Sequence, residues 1–357
     1  FPMFLALNEI RHSKLRYALV IGVTFLIAYL VFFLTGLSYG LAQEYQMAID
    51  KWQATDILLS DKANDSLSMS QLDPKILDQV KAKEKAVLAQ SPGIIIDSKD
   101  DQKKENVSFF GIDPGQFLRP NIVEGKMFQE TGDVVADKSL ETRYGYALGD
   151  KVKLATNGQI LTIVGFTDQA KFSVSPVLYT SLETFHLMRY GASMAGQQST
   201  SVNAIVTKGK PSETAGLSQL SIKQFIYKLP GYNAQVMTFG FMIGFLVVIT
   251  AIVIGIFIYV LTMQKMAIFG VMKAQGISSG YIARSVVAQT FILAFSGVVI
   301  GLVVTVLSAM ALPDAVPFQT QPVFLATIAI LIVVVAILGA LFSVRSIVKI
   351  DPLKAIG

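Results

Sequence analysis

Apolar residues along this chain gather into four long runs without a Lys, Arg, Asp or Glu. They are Tyr17–Gln43, Leu229–Gln264, Ser285–Pro313 and Ala315–Val344, of 27, 36, 29 and 30 residues. A hydrocarbon layer about 30 Å thick takes about 20 helical residues at roughly 1.5 Å each, so every run is long enough to span it. Between the first and second runs, positions 44–228 mix polar and apolar residues with the periodicities of a folded domain. The pattern predicts a four-span α-helical membrane protein with an α/β extracytoplasmic domain inserted between helices 1 and 2.

Finer patterning adds elements on either side of these runs. Residues 1–16 set Phe4, Leu7, Ile10 and Leu15 against Asn8, Glu9, Arg11 and Lys14, the make-up of an amphipathic helix in the inner membrane interface. The first span is expected to continue through Leu41–Lys51, where no Gly or Pro interrupts it. In the inserted domain, Ala54–Ser60 has strand composition, and Asp73-Pro74 signals a helix start running to Leu88. Lys151–Ala155 and Gln159–Phe166 alternate around Asn157-Gly158, a hairpin signal. Pro176–Thr180 reads as a strand, Thr180 to Glu183 as a capping box for a helix Leu182–Tyr190, and Val202–Thr207 as another strand. Leu229-Pro230-Gly231 breaks the chain before the second span.

Charge placement sets the expected orientation. The net charge is +5, yet the inserted domain carries −1, while residues 1–16, 265–284 and 345–357 together hold nine basic residues against two acids. Lys and Arg beside span ends stay in the cytoplasm, so the chain is expected in the cytoplasmic (inner) membrane with both termini and the 265–284 loop on the cytoplasmic side and the large domain outside. The basic excess therefore reports topology, and no nucleic-acid partner is expected. The chain has no Cys, which removes disulfides and thiol chemistry. Tyr17–Gln43 exceeds a signal peptide's apolar region and no small-residue cleavage site follows it, so it is read as a retained span.

The chemistry of a self-contained enzyme is missing. The two Gly-Lys pairs, Gly125-Lys126 and Gly209-Lys210, are followed by Met127 and Pro211, so no phosphate-binding loop of the Gly-Xaa4-Gly-Lys-Ser/Thr type is present. His12 and His186 have no partners at metal-ligand spacing, and no catalytic or metal residues are expected. Small-residue pairs four apart, Gly36 with Gly40, Gly240 with Gly244 and Gly297 with Gly301, suit close helix contact. They fit either packing within one chain or a dimer seam. The 265–284 loop is basic and acid-free, and Ile268, Phe269, Val271 and Met272 in it read as an apolar partner surface.

That loop, Ile268-Phe269-Gly270-Val271-Met272-Lys273-Ala274-Gln275-Gly276, resembles the coupling segment of MacB/FtsX-like permeases of ABC exporters. Their usual acidic residue is replaced here by Ile268. The N-terminal Asn8-Glu9-Ile10-Arg11 and the C-terminal Ile350-Asp351-Pro352-Leu353-Lys354-Ala355 are similar to the ends of that family, with Lys354 at its usual Glu. Phe110-Gly111-Ile112-Asp113-Pro114, Glu124-Gly125-Lys126-Met127-Phe128 and Leu148-Gly149-Asp150 resemble its extracytoplasmic core domain. Leu34-Thr35-Gly36-Leu37-Ser38-Tyr39-Gly40, Tyr259–Lys265 and Ser175–Leu182 look most like the hemin-exporter permeases and their DevC-like relatives.

The resemblance implies a permease that is not itself an enzyme and dimerises with a second copy of itself. A separate ABC ATPase subunit would carry the ATP and Mg, this chain binding no cofactor of its own. Membrane lipid is a further partner, and an extracytoplasmic adaptor is compatible with the family. Lys265, Ile268, Phe269, Val271, Met272, Lys273 and Gly276 would couple to the ATPase, and Gly36, Gly40, Gly240 and Gly244 would pack the dimer. Hemin is the expected cargo. Candidate contacts for it are Phe32, Phe33, Tyr39, Glu44, Tyr45, Met47, Tyr232, Met237 and Phe239, which combine possible iron ligands with aromatic walls. Two alternatives stand beside this: a MacB-type exporter of antimicrobial peptides, drugs or lipids, and an FtsX-like mechanotransmitter regulating an extracellular partner.

Overall fold

The computed structural model describes residues 14–191, 201–313 and 315–348, with side chains as far as position 341. The amphipathic segment expected before Lys14 and the tail after Val348 fall outside the described residues. The chain divides into an outer unit, Leu41–Gln235, and a membrane unit made of Phe1–Gly40 and Val236–Gly357.

Helix α1, Lys14–Trp52, contains the first span and continues past it without a break, as the missing Gly and Pro predicted. The outer unit then runs β1 (Asp56–Leu59), β2 (Glu84–Asp97), β3 (Asp100–Ile112), β4 (Glu124–Gly125), β5 (Asp133–Asp137) and α2 (Ser139–Tyr144). It continues through β6 (Lys151–Leu154), β7 (Ile160–Thr167), β8 (Lys171–Phe172), β9 (Ser175–Ser181) and α3 (Leu182–Tyr190). Strands β10 (Ala204–Lys208) and β11 (Ser218–Ser221) and helix α4 (Ile222–Lys228) complete it. The strands form one sheet in the order β11-β1-β10-β2-β3-β9-β5-β7-β4, with β6 bridging β2 and β7 and β8 beside β9. Most neighbours are antiparallel, while β3 with β9 and β5 with β7 run parallel.

Both faces of the central strands are buried. Successive side chains of a strand point to opposite faces. Ala86, Leu88 and Phe110 accordingly join one core with Trp52, Phe172 and Tyr179, while Val87, Ala89 and Phe109 join another with Val134, Phe166 and Phe185. This corrects the helix expected from Pro74 to Leu88. Asp73 does cap a turn, accepting from the Lys75 amide at 2.9 Å, but the turn is a 3-10 helix ending at Gln79. Strand β2 begins at Glu84, and a strand covered on both sides reads as a continuous apolar run that periodicity does not separate from a helix.

The hairpin around Asn157-Gly158 and helix α3 form where expected, with the cap one residue later. Ser181 Oγ accepts from the Thr184 amide at 3.1 Å, while Thr180 Oγ1 donates to the Asp133 carbonyl at 2.9 Å. A full capping box occurs instead at Ser221 and Gln224, opening α4.

The membrane unit contains α1 up to Gly40, then α5 (Tyr232–Gln264, its first residues belonging to the outer unit), α6 (Met266–Ala274), α7 (Ser279–Ala311) and α8 (Pro322–Val348). Among the described residues four helices, α1, α5, α7 and α8, are long and apolar enough to cross a membrane. The third starts earlier than its uncharged run because Ser278 caps it, accepting from the Tyr281 amide at 3.3 Å. The fourth starts later, at Pro322, and residues 315–321 form a connection that a charge count cannot separate from helix.

Candidate functional site

The loop expected to meet an ATPase is mainly helix α6. Lys265 breaks the preceding helix, and Gly276 at φ +88° turns the chain towards α7, a conformation that glycine adopts without strain. Ile268 is 58% and Val271 45% exposed, three residues apart and so on one side of the helix. Phe269 is only 3% exposed and packs into a core with Tyr17, Ile258 and Ile282. Its expected place on the docking surface is therefore corrected: it roots α6 in the membrane unit. Met272 packs partly against the same core. Lys273 occupies the last turn, where a cation suits the helix dipole.

Lys265 takes part in a contact that sequence reasoning missed. Its Nζ donates to the Tyr17 hydroxyl at 2.6 Å, and Gln289 Nε2 donates to the same oxygen. Tyr17 and Gln289 are both buried, so one oxygen ties α1, the start of α6 and α7 together. The available signal was Gln289, a lone amide inside an uncharged run. Polar side chains there are costly unless paired. Threonines of the spans pair within their own helices: Thr24, Thr35, Thr250, Thr290 and Thr305 donate to carbonyls four residues back at 2.7–2.9 Å.

The glycine pairs divide. A Cβ at Gly36 would lie 2.3 Å from the Phe318 ring, and one at Gly40 would lie 2.0 Å from the Pro317 carbonyl oxygen. Gln319 N also donates to the Gly36 carbonyl at 3.2 Å. Gly36 and Gly40 thus receive the 315–321 connection of their own chain, which corrects their assignment to a dimer seam. Gly297 and Gly301 let α7 approach α1, with Thr24 and the Tyr29 backbone in contact range. Gly240 and Gly244 face open space beside Phe241 and Phe245, each 66% exposed.

The nine candidate cargo contacts fall into both units. In the membrane unit, Phe32 is fully buried among Ala28, Ile328 and Ile332 and offers no wall, which corrects its place among the cargo contacts. Phe33 lies 5.3 Å from Phe318 and Tyr39 lies 6.5 Å from Phe324 between ring centres. Met237 is exposed and Phe239 half-buried. In the outer unit, Tyr45 packs edge-on against Tyr232 at 5.7 Å, and Met47 is half-buried.

Glu44 has a different role from the one expected. Its Oε1 accepts from Lys171 Nζ and, at 3.1 Å, from Arg143 Nη2. The Glu44 and Lys171 side chains are each 6% exposed, so this is a buried pair and the carboxylate is not free for iron. Beside it the β8–β9 turn donates the Ser173 amide to the Tyr45 carbonyl and the Val174 amide to the Glu44 carbonyl, both at 3.1 Å. Val174 sits at φ +70°, unfavourable for a β-branched residue and held by these contacts. Two turns further along α1, Lys51 Nζ reaches Thr167 Oγ1 at 3.0 Å and Asp168 Oδ1 at 3.1 Å. The hydrogen bond from Asn121, together with Lys51, holds the Asp168 carboxyl below the usual range.

The MacB-like periplasmic core domain family matches residues 17–223, more than half of the chain, and the FtsX-like permease C-terminal family matches residues 240–352. HrtB of Staphylococcus epidermidis, a permease ascribed to a hemin transport system, is 27% identical over 357 residues, covering 99% of each chain. Its namesake in Staphylococcus haemolyticus is 26% identical over 360 residues, again 99% of each. An uncharacterized ABC transporter permease of Mycobacterium tuberculosis is 23% identical over 363 residues, 99% of each. Among solved structures, the periplasmic region of MacB from Actinobacillus actinomycetemcomitans matches with a TM-score of 0.34 and 16% identity, covering 50% of this chain and 94% of that one.

Proposed function

Because the chain belongs to the family of permeases with a MacB-like periplasmic core domain, we propose that it is the membrane subunit of an ATP-driven exporter whose energy comes from a separate ATPase. The observation that carries this reading is α6: a short helix between two spans, rooted by Phe269 and presenting Ile268 and Val271 outward. A partner pressing on that side would move α5 and α7 through a fixed core rather than through a flexible loop. Two copies of the chain working together, with Gly240 and Gly244 on the free side of α5, complete the proposed assembly.

Hemin is the cargo we favour, supported by the role ascribed to the HrtB relatives. With Glu44 paired and Phe32 buried, the remaining candidate ligands are Tyr39, Tyr45, Met47, Tyr232 and Met237. Ile268→Asp or Val271→Asp should place an unpaired charge in the ATPase contact. Co-purification of the two subunits should fall and cargo-stimulated ATP hydrolysis should be lost. Normal assembly and coupling in both variants would refute the docking face. Hemin titration of the purified complex, followed by its Soret band and ATPase rate, tests the cargo. A flat response to hemin alongside stimulation by a lipophilic peptide or drug would leave the exporter and remove hemin.

A further inference from the structure

The outer unit contains a cleft of about 530 Å³ that none of the proposed ATPase or hemin contacts lines. Val107, Phe172 and Phe225 give it apolar walls, and Gln90 and Ser108 line it with polar groups. Those two side chains belong to residues 5% and 3% exposed. Gln90 Nε2 donates to Ser108 Oγ at 3.0 Å, which leaves the Gln90 carbonyl as an acceptor and the Ser108 hydroxyl proton as a donor. Among the described residues no protein group answers either one. The Gln90 carbonyl oxygen is not sealed from solvent, so the cleft offers it to water or to a guest that can replace that water.

The rim sets the charge of that guest. Lys228 and Asp65 both line the cleft, and Lys228 Nζ is bonded to Asp65 Oδ2, with Ser218 Oγ donating to Oδ1 at 3.1 Å. Each charge is cancelled by its neighbour. The lining has no His, Tyr or Met for iron, and its lysine is held by Asp65 and so is not free for a hemin propionate. We propose that this cleft is a binding site for a small neutral amphiphile. An aliphatic or aryl body would lie on Phe172 and Phe225, with a hydroxyl or amide head on Gln90 and Ser108. The site is independent of the hemin reading and uses none of its residues.

Photolabelling of the full chain in lipid nanodiscs tests it. A diazirine-bearing octanol and the corresponding octanoate serve as neutral and anionic probes, with adducts mapped by mass spectrometry. Octanol should label residues 64–68, 172–175 and 225–230, and excess unlabelled octanol should suppress those adducts. Ser68→Trp and Ser175→Trp fill the mouth from exposed and half-buried positions and should reduce them severalfold. Octanoate should label the parent chain poorly. Asp65→Asn frees Lys228 and should raise octanoate labelling severalfold while leaving octanol unchanged. Adducts confined to the spans would overturn the proposal, as would equal octanoate labelling of parent and Asp65→Asn chains. The second outcome decides the matter even where a tryptophan variant fails to fold.

Discussion

The two units solve the problem of buried polar groups in opposite ways. The outer unit buries formal charge: Glu44 lies between Lys171 and Arg143 with little access to water. The membrane unit buries neutral dipoles: threonines turned onto their own helices, and Gln289 on Tyr17. The outer unit has a water-backed surface against which ion pairs can be traded. In hydrocarbon an unpaired charge has no such alternative, and close packing through glycine takes the place of charge pairing. One chain therefore carries two chemistries of cohesion, each suited to its surroundings.

Glu44→Ala should break this contrast most severely. It leaves two cations facing a buried void, and losing one partner of a buried pair costs about 3–5 kcal/mol. Trp52 is the only tryptophan and lies in the same outer core, so its emission during urea unfolding reads the loss. The double change Glu44→Leu with Lys171→Met should recover most of it, because the stranded charge accounts for most of the cost. In the membrane unit, Gly40→Val should be the strongest lesion. Its Cβ meets the Pro317 carbonyl, and overpacking of this kind costs about 1–3 kcal/mol, measured by thermal unfolding in detergent.

Tyr17→Phe removes the shared acceptor while preserving shape, with an expected loss of about 1 kcal/mol by the same measurement. A loss as large as that at Glu44 would erase the distinction between the units. The smallest effect belongs to Asp168. Its folded carboxyl titrates below the usual range, so its contribution is complete above about pH 4 and disappears as pH falls through the folded value. The side chain is 52% exposed, and after solvent screening the effect stays under about 1 kcal/mol. Asp168→Asn should lower the urea midpoint slightly at pH 7, and the difference should shrink as the pH is lowered below about 4.

The spans were legible because counting uncharged residues against bilayer thickness involves only chain-local information. Asn157-Gly158 marked its hairpin for the same reason, the turn being chemistry of adjacent residues. Strand β2 was hidden because Ala86–Ala89 lies between two cores, and burial on both faces erases the alternation that marks a strand. Gly36 and Gly40 announced a close approach without saying of what; the answer came from residues nearly 280 positions away. Glu44 looked like a free carboxylate at the end of a span because Arg143 and Lys171 stand 99 and 127 residues further on. Phe269 was placed on the wrong side because a helix as short as α6 gives little phase information. Its neighbours Ile268 and Val271 remain where a partner could reach them.

The uncharged spans also bear on what can drive the molecule. Each elementary charge carried through a membrane field exchanges about 2.3 kcal/mol per 100 mV with it. The stretches Tyr17–Gln43, Leu229–Gln264, Ser285–Pro313 and Ala315–Val344 contain no ionised side chain, and the one cation in the tie at Tyr17, Lys265, stands just past the end of its stretch. Rearranging these stretches within the bilayer would therefore move no formal side-chain charge of their own through the field. The membrane voltage would do little direct work on the protein, and any electrical dependence of transport would measure the charge of the cargo.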